Sequence, residues 1–366
     1  MLFATIIRLI AVLLAFLSQT KPKGKFLEFG FILLTFFASI QYGFGSDYHR
    51  YYELWYQYST YDIGLFVEDF FNQTDWTEPG WILLNAIFGF KYGFFVLVAL
   101  ISVVENYIYY RLIKDYVPVK WRWLAMFLYV SMDSLYWLNY SMFRQGLCVA
   151  LFVGAVLLMN RNKLWSAIAL MLFSLTIHLS SAVCIPFIAL YFLPLNKTKT
   201  LASFLLVFTI LIFLFKDIVI GGLNLVFTLE ELGKYKDSGY GASKLGGLGL
   251  GYLLNHIPNF VILYFLIKDQ YIKSREKKVI ALLAFCDILI APLQLYGAAF
   301  AGRLGVYFVA FKVASIPMVY SMIKDKGLRL FLVLIVLFST LVMFIQFFQI
   351  YLEGYSEGFK TIFSVI

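Results

Sequence analysis

Two arginines and one histidine have the chemistry expected of a site that handles phosphate. Arg144 and Arg303 each fall where an apolar run begins, and His178 lies between two apolar runs. A cation in the first turn of a helix opposes the helix dipole, so helix stability does not explain these arginines. A guanidinium fork at a helix N-terminus suits phosphate or pyrophosphate, and an imidazole can act as a general base or as a donor to a leaving phosphate. These residue types predict group transfer from a phosphorylated donor.

Each of the three residues also has an ordinary explanation. A single arginine near the end of a membrane span is often an anchor that reaches the polar interface. His178 could be a hydrogen-bonded residue at a tight helical hairpin, and Ser141 could cap the helix that carries Arg144. The occurrence of all three residues at one predicted face of the membrane favours a site over separate anchors.

Further polar and aromatic side chains are candidates for the same site. Asp47 could take a proton or orient an arginine, and Glu78 is expected either in a turn before a helix or as a carboxylate that binds substrate. Lys312 lies inside an apolar run, where it could pair with an acidic side chain or lie beneath Arg303. The remaining predicted substrate-binding residues are Tyr48, Arg50, Tyr51 and Gln145. The tyrosines belong either to an interfacial belt or to a surface on which sugars stack.

The composition indicates an integral membrane protein. Of 366 residues, 62% are hydrophobic and 14% are charged, against about 45–50% and about 25% in soluble domains. This balance excludes a soluble enzyme, and the net charge of +9 is explained by loop lysines and arginines rather than by nucleic acid. Cys148, Cys184 and Cys286 lie in apolar stretches without metal-binding or disulfide spacing. We therefore predict neither a metal site nor a cofactor.

Twelve apolar runs predict an all-α, polytopic membrane protein with about twelve transmembrane helices. The runs lie at about 2–18, 26–44, 92–113, 121–138, 142–159, 164–177, 182–193, 201–215, 250–267, 279–296, 304–323 and 330–352. They occur throughout residues 1–366, which we expect to form one transmembrane domain. The first run lacks a small-residue cleavage site, so we expect it to remain as a span.

The charge of the loops alternates along the chain. Every odd-numbered run is followed by a loop rich in Lys and Arg, whereas the long loop at 45–90 carries seven acidic side chains. The positive-inside rule therefore places the 45–90 loop, both termini and the candidate site at the outer face. The loop at 45–90 is dense in tyrosine and tryptophan, and we expect short helices within it. A second long outer loop, 221–249, is rich in glycine and is expected to act as a gate or lid.

Five short motifs occur in a recognisable order along the chain. They are Asp47-Tyr48-His49-Arg50-Tyr51-Tyr52, Glu78-Pro79-Gly80, Phe143-Arg144-Gln145-Gly146-Leu147, Ile177-His178-Leu179-Ser180 and Gly302-Arg303-Leu304-Gly305-Val306-Tyr307-Phe308. From about 45 to 320 the chain thereby resembles the EpsG-like family, which groups with Wzy-type polymerases of O-antigen and exopolysaccharide. The resemblance implies a scaffold similar to that of C-type glycosyltransferases, located in the bacterial inner membrane with the active site facing the periplasm.

The resemblance also implies the substrates and partners. Undecaprenyl-pyrophosphate-linked oligosaccharides would serve as donor and acceptor within the membrane lipid. The reaction would need neither a metal ion nor a nucleotide sugar. A chain-length regulator protein is a candidate partner. Arg144 and Arg303 would hold the donor pyrophosphate, and His178 or Asp47 would deprotonate the acceptor hydroxyl. The expected product is O-antigen for lipopolysaccharide, or exopolysaccharide.

Three other functions remain open at this point. A flippase or transporter of the lipid-linked oligosaccharide would have inverted repeats and ionisable residues near the membrane midplane, whereas most candidates here lie at one face. An O-antigen ligase would use the same chemistry with a different acceptor. A membrane O-acyltransferase would need a histidine paired with a hydroxyl or carboxylate beside an acyl donor.

Overall fold

The part of the protein that the structure describes is mainly helical. The computed structural model describes residues 2–21, 24–45, 47–65, 77–192, 194, 198–215, 250–268, 271–294, 299–354 and 360–364. Its α-helices are α1 (Leu2–Thr20), α2 (Phe26–Ile40), α3 (Tyr48–Tyr58), α4 (Pro79–Ile87), α5 (Gly93–Tyr116), α6 (Arg122–Ser131), α7 (Phe143–Met159), α8 (Leu164–Ile177), α9 (Thr198–Leu214), α10 (Leu250–Ile267), α11 (Arg275–Phe285), α12 (Asp287–Gln294), α13 (Ala299–Tyr320) and α14 (Lys326–Gly354). Two short strands, β1 (Gln41–Tyr42) and β2 (Lys360–Thr361), pair antiparallel.

Each predicted apolar run coincides with a helical segment, although three runs are interrupted. The run at 121–138 forms α6, then a π turn over Asp133–Trp137 in which Leu135 has non-helical dihedral angles. The run at 182–193 lies largely within a 3-10 helix, Leu179–Tyr191, which contains Pro186, a residue without an N–H for an α-helical hydrogen bond. The run at 279–296 is divided between α11 and α12.

Four helices in the described part of the chain are long and apolar enough to cross a membrane. They cover Leu2–Thr20, Gly93–Tyr116, Gly302–Tyr320 and Lys326–Gln349. Shorter apolar helices, among them Phe143–Met159 and Leu164–Ile177, accompany them. The all-α membrane class is confirmed, and the number of twelve crossings stays a prediction.

The chain divides into two compact units, Met1–Ile188 with Thr340–Ile366, and Ala189–Ser339. In the first unit α2 packs on α1 and α5, α1 also packs on α6, and α7 lies between α5 and α8. Nearly every residue of α7 is buried. Close packing around α7 depends on Gly154, because a Cβ there would lie 3.2 Å from the Ile108 side chain and 3.3 Å from that of Leu170. The single transmembrane domain over 1–366 stays a prediction.

The first unit has a basic end and an opposite end that carries the predicted loop helices. At the basic end, the loops after the first, third and fifth runs meet through Lys114 with Glu28 (3.2 Å) and Arg161 with Asp115 (2.5 Å). At the other end, β1 pairs with β2, and the Gln41 amide donates to the carbonyl of Tyr140 at 3.1 Å. Helices α3 and α4 lie within the 45–90 loop, as predicted, while 66–76 of that loop falls outside the described residues.

In the second unit, α13 packs on α11 and α12, and α9 packs on α10 and α12. The predicted gate at 221–249 lies outside the described residues.

Candidate active site

The carboxylate of Glu78 is the point at which three separate segments of the first unit meet. Its Oε2 accepts a hydrogen bond from Nη1 of Arg144. Its Oε1 lies 2.9 Å from Nδ1 of His178 and accepts from the backbone N–H of Leu179 at 3.2 Å. Exposed fractions of 19% for the Glu78 side chain, 21% for that of Arg144 and 11% for that of His178 show that the cluster is largely buried and keeps some contact with solvent.

The local sequence explains why the Glu78 side chain points away from its own helix. Glu78 precedes α4, and Pro79 stands at the first helical position, where its missing N–H costs nothing. A residue before proline favours extended backbone, and Glu78 has ψ 136°. Its side chain makes no cap hydrogen bond to α4 and is directed instead to Arg144 and His178.

A glycine brings α4 close to the end of α8. A Cβ at Gly80 would lie 2.2 Å from Oγ1 and 2.7 Å from the carbonyl oxygen of Thr176, distances at which no side chain fits. Thr176 is two residues before His178, so this close approach places Glu78 beside the imidazole. The Glu78-Pro79-Gly80 motif predicted a turn before a helix, which is confirmed, but it did not reveal this contact.

The ion cluster fixes the tautomer of His178. Burial raises the pKa of the Glu78 carboxyl, but the hydrogen bond from His178 and the charge of Arg144 outweigh burial and lower the pKa to about 2. An ionised carboxylate only accepts hydrogen bonds, so Nδ1 of His178 must carry a proton. In a neutral ring Nε2 then has the lone pair, which is the form of a histidine used as a general base.

Tyr51 holds the guanidinium of Arg144 from a second side. The Arg144 Cζ lies 5.6 Å from the centroid of the Tyr51 ring, within the range of a cation–π interaction. The Tyr51 ring in turn packs on Trp81 at 5.5 Å and on Phe143 at 5.4 Å. A carboxylate and an aromatic face therefore both help to position the Arg144 guanidinium.

Asp47 reaches this region through its backbone. Its N–H donates to Oγ of Ser141 at 3.2 Å, and Gly45, at φ +84°, packs against the same serine. Ser141 therefore does not cap α7: the N-cap of α7 is Met142, without a side-chain cap. The expectation of a Ser141 cap was wrong, because the hydroxyl binds the turn before α3 instead.

The other predicted residues of the first unit lie around the cluster rather than within it. Tyr48 is fully buried, with its hydroxyl 3.4 Å from the carbonyl of Gln41 and its ring against Phe94. Arg50 is exposed and pairs with Glu53 at 3.2 Å. Gln145 is buried in the first turn of α7, beside Arg144.

Arg303 and Lys312 lie in the second unit, on α13. Arg303 is half-buried and lies in the second turn of the helix rather than at its first residue. Lys312 is buried, with Nζ 2.5 Å from Oδ2 of Asp287, and the Asn259 amide is 3.4 Å from the same oxygen. The expected pairing of Lys312 with an acidic side chain is confirmed.

Two contacts could not be found from the sequence: the backbone N–H of Leu179 with Glu78, and the close approach of Thr176 to Gly80. Backbone groups and close glycine contacts have no sequence signal of their own. One available signal was the spacing of Tyr48, Tyr51, Trp55 and Tyr58, which form the buried face of α3. Within the described residues, no group of three or more His, Cys, Asp or Glu side chains could hold a metal ion.

Comparison with known proteins supplies one match. Residues 25–359 match the model of the EpsG family. No curated protein and no solved structure matches the chain. The matched range includes Glu78, Arg144 and His178 of the first unit and Arg303 of the second, and it covers nearly the whole sequence. The chain therefore belongs to the EpsG family.

Proposed function

We propose that the protein is a polysaccharide polymerase, which joins undecaprenyl-pyrophosphate-linked oligosaccharide repeat units at the outer face of the bacterial inner membrane. Membership of the EpsG family supports a polymerase-like glycosyltransferase. The observation that carries the chemistry is the convergence of Arg144 and His178 on Glu78. A fixed cation and an oriented base are the two groups that transfer from a pyrophosphate donor requires.

Arg144 stabilises the leaving group in this proposal. As the bond between the anomeric carbon and the pyrophosphate oxygen breaks, negative charge develops on the pyrophosphate. A guanidinium already fixed by Glu78 and Tyr51 meets that charge without reorganising, so its interaction is stronger in the transition state than in the ground state.

His178 accepts the proton of the acceptor sugar. The acceptor hydroxyl oxygen forms the new glycosidic bond to the anomeric carbon while its proton passes to Nε2 of His178. Glu78 keeps Nδ1 protonated and stabilises the imidazolium that forms. Glu78 thus acts as a positioning residue for both His178 and Arg144. This role replaces the one expected from sequence, in which the Glu78 carboxylate binds substrate.

A transporter of the lipid-linked unit is the second candidate. The observation in its favour is the buried pair of Lys312 and Asp287, because ionisable side chains inside a helix bundle are common along transport pathways. A polymerase and a transporter differ in what accumulates when the protein is lost, so the same genetic experiment separates them.

The experiment is a gel of surface polysaccharide from cells in which the gene is deleted and then complemented. We expect a single-repeat product from the deletion and a ladder of long chains with the wild type. Arg144→Ala, Glu78→Gln and His178→Ala should each fail to restore the ladder while the protein remains in the membrane. Arg161→Ala, which removes an arginine from another carboxylate pair at the basic end, should restore it.

Loss of every surface form, including the single repeat, would assign the transporter or ligase function instead. A normal ladder from Arg144→Ala would remove the Glu78 cluster from the mechanism.

A further inference from the structure

A cavity of about 650 Å³ opens in the second unit, lined by residues of α10 and α14 and of the segment before α14. Its walls are apolar, and Phe260, Tyr264 and Leu328 are each about half exposed, at 54%, 47% and 52%. Ile323 and Leu332 are buried and also line the cavity. The volume is in the range of about 300–1,000 Å³ found for small-molecule sites. An open apolar cavity in a membrane protein fits a hydrocarbon chain.

One lysine lines this cavity and a second lies against one of its lining tyrosines. Lys324 lines it directly, and Nζ of Lys268 lies 5.3 Å from the centroid of the Tyr264 ring. Asp325 also lines the rim, but its Oδ1 accepts from the N–H of Leu328 at 2.6 Å, so its charge is opposed by the N-terminus of α14. More cations follow these two lysines along the chain: Lys273 lies before α11, Arg275, Lys277 and Lys278 lie in the first turn of α11 together with the acidic Glu276, and Lys326 and Arg329 lie in the first turn of α14.

We infer that the cavity binds a glycerophospholipid with an anionic headgroup, with an acyl chain against Phe260 and Tyr264 and the phosphate between Lys268 and Lys324. Apolar walls beneath a basic rim match the two parts of such a lipid. Basic pockets between transmembrane helices on the cytoplasmic side favour anionic headgroups, and the loop charges predict that side for these two loops.

The position of the cavity argues against the polyprenyl donor as its occupant. Arg303, the predicted pyrophosphate-binding residue of this unit, and Tyr320 are on the same helix and are separated by about 26 Å at 1.5 Å per residue. The cavity rim begins just after Tyr320, with Met322 and Ile323. A pyrophosphate held at Arg303 is therefore too far away for its charge to meet Lys324.

The test measures lipid binding to the full-length protein, purified in detergent, by native mass spectrometry. The probes are phosphatidylglycerol and phosphatidylcholine with the same palmitoyl and oleoyl chains. We expect phosphatidylglycerol to bind at least tenfold more tightly. The double variant Lys268→Ala with Lys324→Ala should weaken phosphatidylglycerol about thirtyfold, since each lysine near a headgroup contributes to its attraction. It should weaken phosphatidylcholine much less, because the choline ammonium of that lipid offsets the charge of its own phosphate.

Two further variants distinguish lipid binding in this cavity from nonspecific attraction to lysines and from misfolding. Val261→Phe places a larger side chain in the cavity and should weaken both lipids while Lys268 and Lys324 stay in place. Lys25→Ala with Lys163→Ala removes two exposed lysines of the first unit and should change neither affinity.

Three results would overturn the inference. Equal affinities for the two lipids would show that the rim does not select charge. Loss of undecaprenyl phosphate binding, but not of phosphatidylglycerol binding, in the double lysine variant would assign the cavity to the lipid carrier. A dimer that dissociates in the Val261→Phe variant would assign it to a second copy of the chain. None of these readouts depends on polymerase activity.

Discussion

At the scale of single residues, the candidate site depends on Glu78, which acts through its neighbours. Its carboxylate binds Arg144, His178 and the N–H of Leu179, so a change at Glu78 loosens both groups that do the chemistry. We predict that Glu78→Gln lowers polymerisation by about 10²–10⁴-fold, because an amide no longer keeps Nδ1 of His178 protonated. Initial rates of polymer formation with matched amounts of membrane protein provide the measurement, and a loss under threefold would contradict the prediction.

The same cluster predicts how stability depends on pH. The pKa of Glu78 falls from 4.5 to about 2 in the folded protein, which corresponds to about 3 kcal/mol of stabilisation at neutral pH. Because the folded-state pKa is the lower one, this contribution is complete above about pH 4.5 and is lost as the pH falls towards 2.

Thermal unfolding of the detergent-purified wild type and Glu78→Gln at pH 7 and at pH 3 tests this dependence. The wild type should be the more stable protein at pH 7, and its advantage should shrink at pH 3. An advantage that stays constant or grows on acidification would show that the carboxylate is not held as an ion.

At the scale of elements, the contact between α4 and α8 forms the site. Arg144, His178 and Glu78 were assigned from sequence to one site, since their residue types are unusual beside apolar runs and they share one predicted face of the membrane. Their direct contacts through the Glu78 carboxylate could not be predicted, because these depend on Gly80 lying against Thr176, a tertiary contact that no periodicity encodes. Tyr48 was predicted to bind substrate because its residue type suggested sugar stacking. Its position on the buried face of α3 makes it part of the core instead.

We predict that Gly80→Ala abolishes polymer formation and leaves the protein in the membrane. The added methyl group overlaps both the side chain and the backbone carbonyl of Thr176, so α4 must move away from α8 at a cost of about 1–3 kcal/mol. Because the backbone carbonyl also blocks the methyl group, Thr176→Ala should not rescue the variant.

Gly302→Ala is the matched control for this substitution. Gly302 precedes the candidate arginine Arg303, but a Cβ there meets no atom of the described residues within 4 Å. Polysaccharide gels of both variants should show a ladder for Gly302→Ala alone. A normal ladder from Gly80→Ala would mean that the close approach of α4 to α8 is not needed.

At the scale of the whole molecule, the all-α class and the side of the membrane expected for each loop could be predicted from sequence. Long hydrophobic runs indicate helices in contact with lipid, and basic loops indicate the cytoplasmic side. The loops after the first, third and fifth runs do meet at one end of the first unit. The interruptions of the runs near Leu135, Pro186 and Cys286 were not predicted, since the hydrophobicity of a run does not reveal whether its backbone is α-helical.

Orientation in the membrane gives a prediction at this scale. The three native cysteines are buried, so we expect little of the maleimide labelling to come from them. The labelling of a single introduced cysteine can therefore be measured. His49→Cys, at the end of the first unit that carries the site, should react with a membrane-impermeant maleimide in spheroplasts. Lys163→Cys, at the basic end, should react only after the membrane is opened. The reverse pattern would place the site in the cytoplasm and exclude a periplasmic polymerase.

The sharpest test of catalysis by the Glu78 cluster is polymerisation by the purified protein supplied with undecaprenyl-pyrophosphate-linked repeat units. We predict that the wild type and Arg161→Ala form long chains and release one undecaprenyl pyrophosphate for each new linkage. Arg144→Ala and His178→Ala should lose at least 100-fold of both signals together. Chains formed at the wild-type rate by either variant would contradict the assignment of catalysis to the Glu78 cluster.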